Sequence, residues 1–441
     1  AKLQSFEITG KTNQVNFICS FLDSNVKRQI IHNDEIPPHI SVGPVQPPFS
    51  IWEKVTNSLK FDNACVNVEE ISQSGVFCAV TDAAIRMEFD PKTLKTIGRR
   101  PEDPIEGVMG IAQFTTAHSK LSKRLGLTFN CFNEIGLNTY THMVRTNKDL
   151  TRTSIGKVPT NGKISYTHEI SITENHAIVC NVPLYFDQEM ITTNKGLLQS
   201  LRYEPSDGAK IHVFDLEGKK PVQTFETEAF WCYHHVNAYE EETEDGNSIV
   251  LDLLAYEDAD FANGPHGYLL LDNMKTEEGR MKQMRESTLW RFTMNLDGSN
   301  RMLIPEKKVM LDPKSNLPLS IELGTVSPEV SQKPYKYLYA FTGFNEGRLG
   351  YVDWSLLKQN AQTGAFEGSW FEEFAYPGEP IFVPDPDGTE EDDGVVLCSV
   401  YDSRRNENFL LVLDGKSMQE LARAYTGIFL PPGFHGKFFP K

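Results

Sequence analysis

Short runs in which apolar and polar residues alternate recur along the whole chain. Typical examples are SFEIT, IHVFDL, SIVLDLLAY, LWRFTMNL, KYLYAF and NFLLVLD. A period of two places successive side chains on opposite faces, so each run predicts a half-buried β-strand. Pairs of Asn or Asp with Gly supply the positive φ values of tight turns and predict hairpins between the strands. These pairs are Asn161-Gly162, Asp207-Gly208, Asp245-Gly246, Asp297-Gly298, Asp387-Gly388, Asp393-Gly394 and Asp414-Gly415.

Convincing amphipathic helices are scarce. The segment KSMQELAR (416–423) offers at most two helical turns, and 25 prolines and 31 glycines interrupt the chain. The pattern therefore predicts an all-β protein. No linker or low-complexity tract divides the 441 residues, so we expect a single domain over residues 1–441. A β-propeller, which adds four-stranded blades around an axis, is the most economical all-β architecture of this length.

Composition argues against several classes of function. The chain has 43 basic and 60 acidic residues, a net charge of −17, whereas binding of nucleic acid requires basic clusters. Its seven cysteines form no CxxC pair, so neither a zinc knuckle nor a disulfide framework is indicated, and a reducing, intracellular setting fits best. No apolar run approaches the roughly 20 residues that span a bilayer, and no signal peptide is recognisable. We expect a cytoplasmic protein or one that lies peripherally on a membrane.

Four of the eleven histidines stand in strand-like apolar contexts beside polar groups: His118, His168, His234 and His435. They are separated by 50, 66 and 201 residues, and 201 is three times 67. Spacings near one, one and three blades would bring all four to the axis of a propeller. Taken singly, each is more often a satisfied, half-buried residue than a ligand, so only the set is informative.

The surroundings of these histidines resemble the motifs of the carotenoid cleavage oxygenase family, which includes the β-carotene oxygenases and the retinoid isomerohydrolase of the visual cycle. The matching segments are TTAHS, THEISITEN, YHHVNAYEE and PPGFHGKFF. Blocks away from the histidines are similar too: FDNACVNV (61–68), EPIFVPDPDGTEEDDGVVL (379–397) and LLVLDGKSMQELARA (410–424). The resemblance covers essentially the whole chain, and the longer blocks make a chance match implausible.

The resemblance implies a seven-bladed β-propeller with an iron site on its axis and a cap of helices and loops over the top face. In the family, four histidines alone hold Fe(II), and three carboxylates accept hydrogen bonds from three of them. The ligands implied here are His118, His168, His234 and His435, and no other residue is implied to be catalytic. The implied carboxylates are Asp82 facing His168, Glu322 facing His234 and Glu379 facing His435. Without the resemblance, Asp82 and Glu322 would read as ordinary exposed acids at strand ends.

Asp82 departs from the family, which usually has glutamate at this position. Because aspartate is one methylene shorter, we expect it to reach His168 only through a water molecule. Such a change would loosen the imidazole and weaken iron binding or catalysis, since altered outer partners of a metal site cost about 10- to 100-fold.

Two further features concern the membrane and the start of the chain. The loop VGPVQPPFSIWEKV (42–55) resembles the family's membrane-contacting loop and offers Phe49, Ile51 and Trp52 as contacts. The alternative is a strand-linking loop whose aromatics fold inward. Family members also have several dozen residues before the segment that AKLQSFEITG resembles. We therefore expect either a piece of a longer protein or a propeller that closes differently.

Three functions remain open from the sequence. The first is an Fe(II)-dependent oxygenase that adds O₂ across a double bond of a carotenoid or apocarotenoid and yields aldehydes or ketones. The second is a pigment or carrier protein that binds carotenoid without cleaving it, which Asp82 and the N-terminal difference would favour. The third is a retinoid isomerohydrolase that uses the same iron site. The carotenoid cut, the bond cut and the oligomeric state are not predicted.

His234 and His235 are adjacent, and period-two geometry places them on opposite faces of a strand. The geometry does not decide which one is a ligand. The resemblance does, because family members keep the first histidine where the second differs. It implies that His234 is the ligand and that His235 points into packing between blades.

Overall fold

The structure is a computed structural model. It describes residues 1–34, 62–100, 104–106, 111–135, 138–186, 200–220, 222–243, 246–259, 286–343 and 354–440, together with Ser50, Trp52, Val108 and Thr276. The chain divides into two compact units. The first contains residues 1–170, 177–222 and 258–274, and the second contains residues 171–176, 223–257 and 275–441.

The first unit begins with a hairpin of β1 (Lys2–Thr9) and β2 (Gln14–Phe21), followed by helix α1 (Asn25–Asn33). The hydroxyl of Ser24 accepts the Lys27 N–H at 3.1 Å and so caps the start of α1. The helix ends at Asp34, whose φ of 54° is left-handed. Within the described residues, no helix is long and apolar enough to cross a membrane.

Two complete sheets follow in the first unit. The first is an antiparallel meander of β3 (Asn67–Glu70), β4 (Phe77–Val80), β5 (Arg86–Phe89) and β6 (Thr96–Arg100). The second has the order β7-β12-β11-β10-β8, with β9 also paired to β10; its strands are β7 (Ile105–Glu106), β8 (Ile111–Thr115), β9 (Lys120–Ser122), β10 (Leu127–Ile135), β11 (Tyr140–Thr146) and β12 (Arg152–Pro159). Of the strands that follow, β13 (Ile170–Ile172) belongs to the second unit from Ser171 onward, whereas the first unit also contains all of β14 (His176–Asn181) except His176, together with β15 (Leu184–Phe186), β16 (Leu201–Tyr203) and β17 (Ala209–Asp215).

The second unit is built in the same way. Its strands up to the first complete sheet are β18 (Gln223–Thr227), β19 (Trp231–Thr243), β20 (Gly246–Tyr256), β21 (Ser287–Asn295), β22 (Met302–Leu303) and β23 (Glu306–Lys308), and β19-β20-β21-β23 form one sheet. The next sheet contains β24 (Glu322–Thr325), β25 (Tyr337–Thr342), β26 (Ser355–Asn360) and β27 (Phe366–Phe371). The last contains β28 (Ala375–Pro377), β29 (Ile381–Pro384), β30 (Gly394–Asp402), β31 (Glu407–Asp414) and β32 (Glu420–Tyr425).

Five of the sheets described above have at least four strands, and most of them are antiparallel meanders of consecutive strands. Consecutive sheets of this kind are the blades of a β-propeller, so the predicted all-β class and propeller architecture are confirmed. The positive φ values predicted for Asn-Gly are confirmed at Asn161 and Gly162, which adopt 52° and 84° in a tight turn, but this turn joins β12 and β13 of different sheets, so the predicted hairpin is wrong there. The prediction of at most two helical turns at KSMQELAR is wrong. Met418 adopts a φ of 58° in a turn, and Glu420–Tyr425 pairs with β31 as an edge strand.

Each unit has its own apolar core. In the second unit, one cluster lies between the sheets of β19–β23 and β24–β27 and includes Leu254, Leu289, Leu338 and Leu357. Another lies between the last two sheets and includes Leu356, Val396, Phe409 and Leu411. Adjacent residues of β26 serve different clusters, Leu357 the first and Leu356 the second, because successive side chains of a strand point to opposite faces and both faces pack against neighbouring sheets.

A buried ion pair accompanies the second of these clusters. The Lys358 Nζ donates to Asp392 at 2.6 Å and to the Lys416 carbonyl at 3.1 Å. It also lies 4.1 Å from the centre of the Tyr337 ring, a cation–π distance. Asp392 belongs to the acidic block TEEDDG, in which Glu391 accepts the Lys336 and Tyr337 N–H groups. The block therefore ties β25 and β26 to the last sheet.

The substitution Lys358→Met is expected to lower the free energy of unfolding by about 3 to 5 kcal/mol, because it leaves the Asp392 carboxylate buried without its cation. Lys307→Met is the matched control. Lys307 also pairs with a glutamate and stands 4.0 Å over the Trp290 ring, but its side chain and that of Glu257 are 39% and 70% exposed. It should cost less than about 1 kcal/mol. Chemical denaturation of both variants measures the difference, and equal losses would show that burial of the Lys358 pair has no special weight.

Candidate metal centre

Two of the predicted ligands, His118 and His168, lie together in the first unit. His118 follows β8 and His168 precedes β13, and their ring centres are 4.8 Å apart with the planes tilted by 52°. His118 is buried. The loop residues after one strand and before another thus bring two imidazoles into contact, as the resemblance implied.

The Asp82 carboxylate joins these two histidine segments. One oxygen accepts the His168 Nδ1 at 2.8 Å and the Tyr166 hydroxyl at 3.1 Å, and the other accepts the Ala117 N–H at 2.9 Å. The expectation that Asp82 reaches His168 only through water is therefore wrong. The backbone supplies the missing reach, because Ala83 forms a bridge with Phe114 and holds Asp82 beside the segment that leads to His118.

The protonation of Asp82 follows from these contacts. Burial alone would raise the pKa of Asp82, but its interaction with His168 and the hydrogen bonds from Ala117 and Tyr166 outweigh burial, so the pKa of Asp82 lies below its ordinary value. An ionised carboxylate accepts hydrogen bonds only. The His168 Nδ1 therefore carries the proton, and its Nε2 carries the lone pair that a metal ion would use.

The backbone on both sides of His118 is also held. The Asn67 side-chain amide donates to the Ala117 carbonyl at 3.1 Å, and the His118 N–H donates to the Thr116 hydroxyl at 3.1 Å. The Ser119 hydroxyl donates to the Glu69 carboxylate. These contacts leave the TTAHS segment little freedom, which is what a fixed ligand position requires.

The other two predicted ligands, His234 and His435, lie together in the second unit. His234 is in β19 and His435 is in the segment after β32, and their ring centres are 5.0 Å apart with the planes at 66°. The His234 Nδ1 lies 2.6 Å from Glu322, and the His435 Nδ1 lies 3.0 Å from Glu379. Both carboxylates thus stand opposite the histidines that the resemblance assigned to them.

Each of these carboxylates also has a backbone or tyrosine partner. Glu379 accepts the Gly436 N–H at 2.9 Å with its second oxygen. Glu322 accepts the Tyr256 hydroxyl at 2.8 Å and the Leu323 N–H at 3.0 Å. Leu323 has a φ of 54°, which is uncommon for a residue with a branched side chain, and β24 is irregular between Glu322 and Thr325. This local strain turns the Glu322 carboxylate toward His234.

The structure separates the two adjacent histidines as predicted. His235 is buried, and its Nδ1 lies 2.8 Å from the Ser171 hydroxyl of β13. The separation is not simple alternation, because the pairing of β19 with β20 shifts between Cys232 and His235 and again between His235 and Asn237. Two bulges aim the neighbouring side chains.

Two other polar residues of YHHVNAYEE, Asn237 and Glu240, hold neighbouring loops in place. The Asn237 side chain donates to the carbonyls of Val330 and Lys333 at 3.1 and 3.0 Å, so it fixes the loop after β24. The Glu240 carboxylate accepts the Asn175 N–H at 2.9 Å and lies 3.0 Å from the His176 Nδ1, in the turn from Thr173 to His176. Burial alone would raise the pKa of Glu240, but its hydrogen bonds lower it to about 2.

Sequence reasoning missed the two tyrosines that bind the site's carboxylates. Tyr166 stands two positions before His168 in SYTHE, a spacing that places both on one side of an extended segment and could have indicated it. Tyr256 has no comparable signal, since it is 66 residues before Glu322 and its hydroxyl reaches that carboxylate only in the folded chain. Of the proposed membrane contacts, Trp52 is exposed, and Phe49 and Ile51 lie outside the described residues.

Metal-ligating histidines almost always donate their second ring N–H to a carboxylate, a carbonyl or water, and His168, His234 and His435 each have a carboxylate at Nδ1. The fold and the site are thus those of a β-propeller with carboxylate-oriented histidines. The profile of the retinal pigment epithelial membrane protein family matches residues 1–440, so the chain belongs to this family, that of the carotenoid cleavage oxygenases.

The relatives of this chain include dioxygenases of animals and of plants. The chain is 34% identical over 300 residues to the β,β-carotene 15,15′-dioxygenase of Gallus gallus, covering 63% of this chain and 54% of that protein. It is 28% identical over 401 residues to the chloroplastic carotenoid cleavage dioxygenase 8 homolog A of Oryza sativa, covering 88% and 67%. The chain thus spans about half the length of several curated relatives that it matches.

Solved structures share the fold. A cobalt-substituted Synechocystis apocarotenoid oxygenase superimposes with a TM-score of 0.77 at 20% identity, covering 98% of this chain and 86% of that chain. A chimera of that oxygenase with the retinal pigment epithelial protein gives a TM-score of 0.79 at 19% identity, with the same coverage.

The substitution Asp82→Ala is expected to lower the unfolding free energy of the metal-free protein by about 1 to 3 kcal/mol, because the Ala117 N–H and the His168 Nδ1 lose their acceptor. Asp149→Ala is the control. Asp149 accepts the Thr151 N–H at 3.0 Å in an exposed turn, so its loss should stay near 0.5 kcal/mol. Denaturant titration compares the two, and a loss no larger than that of the control would contradict the joining role of Asp82.

Proposed function

We propose that this protein is an Fe(II)-dependent oxygenase that adds O₂ across a double bond of a carotenoid or apocarotenoid and gives apocarotenoid aldehydes or ketones. His118, His168, His234 and His435 together hold the iron. The observation that carries the proposal is the carboxylate at the Nδ1 of three of these imidazoles, found in a chain that belongs to the carotenoid cleavage oxygenases.

The donor set fits ferrous iron. Imidazole nitrogens suit Fe, and hydrogen bonding at Nδ1 fixes the tautomer in which Nε2 is the ligand atom. Four neutral ligands leave coordination positions open beside the polyene. When bound, the iron supplies the redox centre that O₂ chemistry on a double bond needs.

The chain itself orients the imidazoles and surrounds the substrate with apolar groups. Asp82, Glu322 and Glu379 hold the rings. Beside His168, the Phe114 and Phe186 rings stack with centres 4.4 Å apart, and Tyr166 lies 5.4 Å from Phe186. We assign this aromatic wall to contact with the polyene, because flat apolar rings suit a conjugated chain and exclude water.

We also propose how the domain is built and where it takes up its substrate. One propeller domain over residues 1–441 would have seven blades, with the iron on its axis and a cap of helices and loops over the top face. Carotenoids are nearly insoluble, so loading would occur at a membrane, with Phe49, Ile51 and Trp52 as contacts and the protein peripheral on its surface. The exposure of Trp52 agrees with this role.

The activity is tested by anaerobic reconstitution with Fe(II), followed by several carotenoids and apocarotenoids in detergent micelles and then O₂. Chromatography should show shortened aldehydes or ketones, and their formation should require iron. Retention of intact carotenoid without product would instead identify a pigment or carrier protein. Release of retinol from retinyl ester without O₂ consumption would identify an isomerohydrolase.

Metal binding distinguishes the two adjacent histidines. His234→Ala should weaken Fe(II) binding by at least about 100-fold, since loss of a ligand exceeds the 10- to 100-fold effect of losing an outer partner. His235→Ala should keep the iron but lower the unfolding free energy by about 1 to 3 kcal/mol, because Ser171 loses its buried partner. Metal analysis after gel filtration, together with thermal unfolding, measures both, and equal loss of iron from the two variants would contradict the assignment.

A further inference from the structure

A fourth carboxylate lies beside the histidine for which the family resemblance provided none. Glu169 follows His168 directly, its side chain is 5% exposed, and its Oε1 lies 3.8 Å from the His118 Nδ1. We propose that Glu169, balanced by Lys120, is a positioning residue that orients His118 for metal binding. The inference rests on the proposed function, because it assumes that His118 is a ligand.

The distance decides how Glu169 acts. At 3.8 Å the pair is too long for a direct hydrogen bond, so the carboxylate acts on the imidazole through its charge. A negative charge on the Nδ1 side favours the tautomer with the proton on Nδ1 and strengthens Nε2 as a ligand. Asp82, Glu322 and Glu379 act in the same direction on the other three rings through hydrogen bonds.

Lys120 offsets the free-energy cost of burying this fourth carboxylate. Its ammonium group binds the same Glu169 oxygen that faces His118. A buried carboxylate without a cation is costly, and Asp82, Glu322 and Glu379 already carry one more negative charge than a divalent ion balances. The Lys120 charge offsets that of Glu169, so the orienting dipole is kept while the net charge of the site is unchanged.

The backbone holds both members of the pair in place. Lys120 is the first residue of β9 and pairs with Phe129 of β10. On the other side, the Tyr166 N–H donates to the Leu184 carbonyl at 2.8 Å, and the Ser165 hydroxyl donates to the Val182 carbonyl at 2.7 Å. The contact between Glu169 and His118 is therefore set by strand geometry and does not depend on a loose surface side chain.

The experiment is a titration of metal-free protein with Co(II), followed by the visible absorption of the bound ion. Glu169→Gln should weaken Co(II) binding roughly 10-fold, in the range found when outer partners of metal ligands are removed, and should shift the absorption bands. Lys120→Met should bind Co(II) as tightly as the wild type or more tightly. The double variant should remain weaker than Lys120→Met alone, which isolates Glu169 from the unopposed lysine charge. If Glu169→Gln does not fold, comparison of the double variant with Lys120→Met provides the same test.

Glu217→Gln is the matched control. Glu217 also pairs with a lysine, Lys219, but on the surface, so the same change in net charge should leave Co(II) binding unchanged. Equal weakening by Glu169→Gln and Lys120→Met would show that the pair is only a structural tie and would overturn the inference, as would unchanged binding in Glu169→Gln. If the wild type itself bound no Co(II), or if His118→Ala bound it normally, the proposed metal site would fail, and the inference with it.

Discussion

The hydrogen bond between a buried carboxylate and the Nδ1 of an imidazole is the interaction on which the candidate site depends. A histidine ring without such a partner can rotate and exchange tautomers, and either change moves the lone pair that a metal needs. Here each carboxylate is also fastened at a second point: Asp82 to the Ala117 N–H, Glu379 to the Gly436 N–H and Glu322 to the Tyr256 hydroxyl. The direction of each imidazole is thereby tied to the backbone of a strand or of its flanking loop. Rigid orientation of ligands is what a preorganised metal site requires.

The need to hold each imidazole in one direction explains why the histidine motifs contain several residues besides the ligand. In YHHVNAYEE only His234 faces a site carboxylate, whereas Asn237 binds the loop after β24 and Glu240 binds the turn from Thr173 to His176. A ligand in the middle of a bulged strand needs these anchors, since the bulges that aim it also remove regular pairing. The strain at Leu323 has the same origin: the local conformation is unfavourable by itself, and the contacts of the Glu322 carboxylate offset it.

The sequence predicted what depends on local pattern and on family resemblance. Alternation located the strands, and the motifs identified His118, His168, His234 and His435 with their carboxylates. The sequence did not predict features that depend on contacts with distant parts of the backbone. The reach of Asp82 depends on the bridge between Ala83 and Phe114, and the strand at 420–425 depends on its partner β31, which overrides a short helical pattern. Glu169 was passed over because the resemblance assigns only three carboxylates, and nothing local indicates that its carboxylate faces His118.

The buried and half-buried acids of the described residues differ in the partner that faces them. Asp252 has Arg291 at 2.7 Å and Asp392 has Lys358 at 2.6 Å, whereas Glu240, which anchors a turn, has His176 at 3.0 Å. The acids Asp82, Glu322 and Glu379 have imidazoles as well. A neutral imidazole orients a carboxylate but does not cancel its charge, so these acids remain a source of negative potential that a divalent cation would offset. By this argument the bound metal ion would stabilise the folded protein as well as supply its chemistry, because binding and folding draw on the same charge balance.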